Sequence, residues 1–238
     1  MQLIALVGFK GSGKDTAGQH LVQNHGFVNF SFAESLKDAL ASIFCWDRAM
    51  LEGATPESRI WRETVDQWWS QKLGIPDFTP RLAMQLVGTN VFREHFNPDL
   101  WIMNIERKIT LLPPDSKVVL CDGRFPNELN LGRSFGGRVI RVKRGDEPEW
   151  YEQALIANGF VTSGKLWDKL YHKLSYGMHL GFFDEFVSPS SPGAMQAFAK
   201  HLMPVHESEW AWIGQPLDVT IENDGTIGDL TSAIEAWA

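Results

Sequence analysis

The stretch Leu3-Ile4-Ala5-Leu6-Val7-Gly8-Phe9-Lys10-Gly11-Ser12-Gly13-Lys14-Asp15-Thr16 decides the fold. Leu3 to Val7 is a short, unbroken apolar run stopped by a glycine, the pattern of a strand buried on both faces of a parallel sheet. From Lys14 to His25 the pattern turns helical. A glycine-rich loop ending in lysine, set between a strand and a helix, is the context of a phosphate loop. Its glycines let successive backbone N–H groups turn inward onto a β-phosphate, and the helix adds the positive end of its dipole. Gly11, Ser12, Gly13, Lys14, Asp15 and Thr16 are therefore expected to hold a nucleoside triphosphate, with Lys14 reaching the β- and γ-phosphates. One departure stands out. Asp15 occupies the place where Ser or Thr normally offers Mg²⁺ a hydroxyl. A carboxylate also binds a hard cation, so Asp15, Thr16 and, at the end of a later strand, Asp122 are the expected Mg²⁺ ligands.

Outward from that loop, apolar runs alternate with helical stretches. Strands are expected at Phe27–Phe30, Lys117–Cys121, Arg138–Val142 and Leu217–Glu222. Helices are expected at Ala33–Phe44, Pro56–Leu73, Pro80–His95, Pro98–Leu112, Asn127–Phe135 and Ile227–Trp237. With the first strand this predicts an α/β protein: a doubly wound, parallel five-stranded sheet that carries the phosphate loop. Residues 1–238 are expected to form one domain with a helical insertion at about 45–112 and a second insertion at about 146–204. The second insertion includes a Ser/Pro-rich stretch, Ser188-Pro189-Ser190-Ser191-Pro192-Gly193.

Composition narrows the functional classes. With 238 residues, 44% of them hydrophobic, the chain can bury a full core. A net charge of −7 provides no global field for nucleic acid. The two cysteines, Cys45 and Cys121, give neither a disulfide framework nor a zinc pattern. No apolar run approaches the ~20 residues that span a bilayer, and the start of the chain lacks a signal-peptide pattern. The expectation is a soluble, cytoplasmic protein. All eleven arginines lie between Arg48 and Arg144, which concentrates the planar forks suited to phosphate in the middle of the chain.

Several ordered blocks give the sequence a resemblance. The string Gly8 to Thr16, then Phe32-Ala33-Glu34-Ser35-Leu36-Lys37-Asp38-Ala39-Leu40, resembles the tailed-bacteriophage deoxynucleoside monophosphate kinases. So do Arg81-Leu82-Ala83-Met84-Gln85-Leu86-Val87-Gly88-Thr89 with Arg93 and Trp101, and Asp122-Gly123-Arg124-Phe125-Pro126-Asn127-Glu128. Arg144-Gly145, His206-Glu207-Ser208-Glu209 and Asn223-Asp224-Gly225 complete the series, while 146–204 carries no matching motif. The resemblance implies a P-loop kinase fold in which the insertion at about 45–112 binds the acceptor and the insertion at about 146–204 is a lid, with ATP as donor, Mg²⁺ as cofactor, a deoxynucleoside monophosphate as acceptor and a homodimer.

It also assigns roles. Lys37, Asp38, Arg81, Gln85, Gly88, Thr89, Arg93, Trp101, Arg124 and Glu128 would contact the acceptor. Arg81 offers its phosphate a planar fork, Gln85 a hydrogen-bonding amide for a base edge, and Trp101 an indole against the nucleoside. For Glu128 a local cap or ion pair is the competing reading, and for Lys37 and Asp38 a solvated pair. Lys14, Asp122, Arg124 and Arg144 form the catalytic set, Arg124 as the clamp on the transferring phosphoryl. Arg144 would neutralise charge at the lid hinge, because 146–204 contains lysines but no arginine. Asn223 and Gly225 suit a loop against adenine, or a plain turn. Three other readings use the same loop: a dephospho-coenzyme A kinase, a kinase acting on hydroxymethylated bases in DNA, and a nucleotide-binding switch without transfer activity. For the DNA reading a local cleft of Arg48, Arg59, Arg62 and Lys72 would be needed.

Overall fold

The computed structural model describes residues 1–179 and 192–238. Five strands, β1 (Gln2–Val7), β2 (Phe27–Phe30), β3 (Lys117–Leu120), β4 (Arg138–Lys143) and β5 (Val219–Glu222), form one sheet in the order β2-β3-β1-β4-β5. Every pairing is parallel: Ile4 lies opposite Val119 on one side and Arg138 on the other, and Val142 opposite Ile221. The strand carrying the phosphate loop is thus central, and its carboxyl end lies where the strand order reverses, the place where open α/β sheets bind ligands.

Because side chains alternate across a strand, β1 divides its residues between two cores. Ile4 and Leu6 face α1 (Lys14–His25) and α12 (Ile227–Glu235), packing with Ala17, Leu21, Leu230 and Ile234. Leu3, Ala5 and Val7 face a larger core built with α2 (Glu34–Phe44), α7 (Leu100–Thr110) and α8 (Pro126–Ser134). That second core continues into α9 (Tyr151–Ala157), α10 (Lys165–His179) and α11 (Pro192–His201) through Ala154, Leu174, Met195 and Phe198. Of the Ser/Pro-rich stretch, Ser188 to Ser191 lie outside the described residues.

The region between α2 and α7 differs from expectation in detail. A short helix, α3 (Arg48–Glu52), precedes α4 (Pro56–Glu63) and α5 (Gln67–Leu73), so the continuous helix expected over Pro56–Leu73 is broken. Asp66 makes the break, its side chain accepting from the Trp69 N–H as a new N-cap. The helix expected over Pro80–His95 changes winding midway: α6 (Pro80–Gln85) passes into a π-helix over Leu86–Phe96. There Gly88 packs so tightly against α2 that a Cβ would lie 2.5 Å from Leu36 Cδ2, and the Gly88 carbonyl accepts a hydrogen bond from Trp101 Nε1 at 3.0 Å. The tryptophans gather largely in aromatic clusters, one around Phe44, Trp46, Trp61 and Trp69 and another around Phe9, Trp150 and Trp212. No helix among the described residues is long and apolar enough to cross a membrane.

Candidate active site

The loop after β1 has the backbone that its glycines require. Gly8, Gly11 and Gly13 all have positive φ, and any side chain at Gly8 would meet the Val142 carbonyl oxygen at 2.3 Å. Gly13 is the N-cap of α1 and brings no side-chain capping bond, so the first-turn N–H groups are left to an anion. Asn223, at the end of β5, braces this loop from behind. Its Nδ2 donates to the Ser12 carbonyl at 2.8 Å, and its own N–H donates to Lys143 O at 2.6 Å. It is buried, and it lies so close that a Cβ on Gly13 would come within 2.4 Å of its Nδ2. Asn223 is therefore a support beneath the loop; Gly225, two residues on, is exposed. Lys14 is mostly covered, with Asp15 Oδ2 3.9 Å from its Nζ, whereas Asp15 itself is 82% exposed.

Asp122 follows β3 and spends most of its carboxylate on the β2–α2 junction. Oδ2 accepts from Ser31 Oγ at 2.6 Å and the Ala33 N–H at 3.0 Å; Oδ1 accepts from the Phe32 N–H at 3.1 Å. It thereby ties the entrance of α2 to the sheet edge beside the phosphate loop. Cys121, just before it, lies under Gly18 of α1. Burial, with Asp122 and Asp15 nearby, pushes its thiol up to about 12, so it is not a nucleophile.

The acceptor-side residues separate into two groups. Arg81 and Arg124 converge: Arg81 Nη2 and Arg124 Nη1 each lie 2.8 Å from the same oxygen, Glu209 Oε1. Arg124 Nη1 also donates to the Ser208 carbonyl at 3.2 Å, and Arg81 Nε lies 3.5 Å from Glu63. Burial alone would raise the Glu209 carboxyl, but the guanidiniums of Arg124 and Arg81, with Lys14 of the phosphate loop, hold it below the usual carboxylate range. Arg62 lies in the same field; burial and then Arg81 lower its pKa. Three cations from three separate segments, Arg81, Arg124 and Lys14, thus act on one anionic point, with Arg62 close enough to feel Arg81 and Arg124.

The second group is turned elsewhere. Arg93 and Glu128 form a buried ion pair, with Arg93 stacked 4.1 Å from the Phe125 ring. Glu128 also accepts from the backbone N–H groups of Arg124 at 2.6 Å and Phe125 at 3.1 Å, capping α8. Burial pushes its carboxyl up to about 7 against the pull of Arg93 and those N–H donors. Trp101 is buried against Phe92, 5.3 Å between ring centroids, and holds the π-helix through Gly88. Thr89 is buried beside it and Gln85 is half-buried. Lys37 pairs with Glu52 at 2.6 Å and Asp38 with Arg48 at 2.5 Å, a network closed by the Arg48–Glu52 pair. Arg144 is exposed just past β4.

Three features of this arrangement were not expected. Glu209 was noted only as part of a motif, and Arg62 only in a nucleic-acid cleft; no local spacing joins either to Arg81 or Arg124. Arg141 is the third. It is buried behind the phosphate loop, donates to both oxygens of Glu147 (2.8 and 2.6 Å), and lies over the rings of Trp212, Tyr151 and Phe9. Phe9 belongs to the loop itself, so this cationic, aromatic box fixes the loop's outer side.

Comparison with known proteins gives three findings. A family model described as deoxynucleotide monophosphate kinase matches residues 2–66. A protein of Acanthamoeba polyphaga mimivirus, provisionally named a deoxynucleotide monophosphate kinase, is 33% identical over 160 residues, covering 60% of this chain and 75% of its own. The crystal structure of TT1252 from Thermus thermophilus covers 98% of this chain and 94% of its own at 19% identity, but with a TM-score of 0.36. Superposition that loose bears on neither fold nor chemistry.

Proposed function

The chain belongs to the deoxynucleotide monophosphate kinase family and is a phosphotransferase; from that premise we propose that it moves the γ-phosphoryl group of ATP onto a deoxynucleoside monophosphate. The observation that carries this reading is the meeting of Arg81 and Arg124 on one oxygen of Glu209, in the field of Lys14. A point held between two arginine forks beside a phosphate loop suits an acceptor phosphate facing a donor triphosphate.

In this mechanism the α1 N-terminus and loop N–H groups hold the donor phosphates, and Lys14 offsets charge between β and γ. Arg124 and Arg81 hold the acceptor phosphate in line, with Arg124, which shares the Glu209 carboxylate's field with Lys14, neutralising the group in flight. No strong general base is needed, because the acceptor oxygen is already ionised. Positioning and charge neutralisation supply the rate. The candidate Mg²⁺ donors fit a hard cation: the exposed carboxylate of Asp15, the Thr16 hydroxyl beside it, and the acceptor capacity left on Asp122 Oδ1. When bound, Mg²⁺ would draw charge from the β- and γ-oxygens. Residues 146–204 would act as the lid that keeps water from the γ-phosphate, with the hinge near Arg144 and Gly145.

The DNA-directed reading requires an open basic cleft. Arg48 is engaged by Asp38 and Glu52. Arg59 donates to Gly53 O at 3.0 Å, Arg62 faces the carbonyls of Leu51 and Glu52, and Lys72 lies over Trp68. That arrangement favours the small-molecule acceptor. The deciding experiment is ADP release with ATP and Mg²⁺ against a panel: the four deoxynucleoside monophosphates, hydroxymethylated pyrimidine monophosphates, dephospho-coenzyme A and hydroxymethyluracil-containing DNA. Turnover with a monophosphate supports the proposal and orders the bases. Turnover only with DNA or dephospho-coenzyme A moves the acceptor site, and silence with ATP still bound favours the switch.

A further inference from the structure

At the far end of α1 from the phosphate loop, two histidines and a carboxylate meet. His20 and His25 project from the last turns of α1, their rings 5.4 Å apart, and Glu235 ends α12. His20 Nε2 lies 2.9 Å from Glu235 Oε1, and His25 Nε2 lies 3.6 Å from the same oxygen. The three ligand atoms all fall within 4.8 Å of one another.

A simple hydrogen bond accounts for His20 and Glu235 but leaves His25 only loosely engaged. Its Nε2 is closed off from water and has as its polar contact the same Glu235 oxygen, at the long distance of 3.6 Å. An imidazole nitrogen that has given up water ordinarily has a partner. Metal–nitrogen and metal–oxygen bonds of about 2.0–2.2 Å in a tetrahedron put neighbouring ligand atoms about 3.3 Å apart. The two measured edges, 2.9 and 3.6 Å, straddle that value. Two helix C-termini also converge here, and their negative dipole ends favour a cation.

We propose that His20, His25 and Glu235 form a binding site for a divalent transition ion of the zinc type, with solvent as the fourth ligand. Two imidazoles and one carboxylate, with no thiolate, suit Zn²⁺ far better than Mg²⁺ or Ca²⁺. Glu235, the most exposed of the three at 47%, is the side from which the ion and its water would enter. The ion would pin the end of α1, which begins with the phosphate loop, to the end of α12. The site stands apart from the kinase reading and does not depend on it.

The test uses the untagged full chain, stripped with chelator and titrated calorimetrically with Zn²⁺ in the absence of nucleotide. One saturable equivalent is expected, and at a hundredfold excess over Kd the Tm should rise by about 5–10 °C. His25→Gln and His20→Gln should each abolish that equivalent, and Glu235→Gln, which keeps the side chain's shape, should weaken it at least tenfold. Circular dichroism of each variant separates loss of the site from loss of the fold. Cys45→Ser should retain the binding, because the exposed Cys45 thiol is the competing soft ligand. No saturable binding in the wild type, binding untouched by the histidine variants, or binding lost with Cys45 would each overturn the assignment.

Discussion

The donor side and the acceptor side of this molecule are built in opposite ways. The proposed donor side is a contiguous stretch, Gly8 to Thr16, shaped by its own glycines between one strand and one helix and braced by Asn223 and Arg141. The acceptor side has no contiguous motif. Arg81 comes from the start of α6, Arg124 from the turn after β3, Glu209 from a short 3₁₀ turn at 207–209 and Arg62 from α4. A side formed within one local unit should fail through its own atoms and its two braces. A side assembled from four segments should fail through any of its supports.

The sharpest break is at Lys14. Its ion pair among the described residues is with the exposed Asp15, and its pull on Glu209 ranks below those of Arg124 and Arg81, so Lys14→Ala should leave Tm nearly unchanged. Turnover should fall on the order of 10³-fold, as when a preorganised charge-stabilising donor is removed. Steady-state kinetics with a thermal melt checks both halves, and retained activity would remove the loop from the mechanism.

Arg124→Ala comes next. It should lower kcat/KM for the monophosphate at least tenfold, about 1.4 kcal/mol or more of lost transition-state binding, while the KM for ATP moves little. A wild-type profile would reduce Arg124 to a structural partner of Glu209. The same loss spread equally over both substrates would erase the contrast between the two sides.

How much of this was legible in the sequence follows the same division. The apolar run Leu3–Val7 and the helical stretch to His25 predicted β1 and α1 nearly residue for residue, since strand, loop and helix are specified locally. All five strands lie where the sequence places them: β1, β3 and β4 are largely buried apolar runs, whereas the edge strands β2 and β5 are mostly exposed and read only as short runs between helical stretches. The π-helix was not legible, because nothing in the periodicity of Pro80–His95 marks a change of winding. That change depends on Leu36 and Trp101, contacts from other elements. For Glu128 the sequence favours a local cap or ion pair, which the fold bears out, but Arg93 is grouped with the acceptor contacts by motif, and only the fold reveals that the two pair with each other in the interior. Glu209 stayed hidden for the complementary reason. Its partners are 85 and 128 residues away, and no spacing rule reaches that far.

Glu209 also gives the acceptor side a pH signature that the donor loop lacks. Its carboxyl is held below its ordinary 4.5 by Arg124 and Arg81 despite burial. A depressed folded pKa means stability that is fully present above about 4.5 and lost as the pH falls through the lower folded value. Glu209→Gln should therefore cost about 1.5–3 kcal/mol near neutral pH, the range for a hydrogen bond to charged groups. The gap between the variant and the wild type should close in acid. Denaturant melts from pH 7 down to 3 measure it; a gap that stays constant would mean the carboxylate charge plays no part in holding the arginines.

The smallest expected effect probes the support layer rather than the charges. Trp101 donates one hydrogen bond, to the Gly88 carbonyl, and packs against Phe92. Trp101→Phe keeps most of the apolar contact and removes the N–H, which should cost about 1 kcal/mol and lower Tm by about 2–4 °C. If the acceptor side depends on its supports as the comparison implies, that small loss should still appear as a several-fold rise in the monophosphate KM. Trp101 stabilises the π-helix that continues from α6, the helix Arg81 starts. The KM for ATP should not follow, since the proposed donor loop is braced separately by Asn223 and Arg141. Equal shifts in both constants would mean that the two sides share one support and are a single mechanical unit.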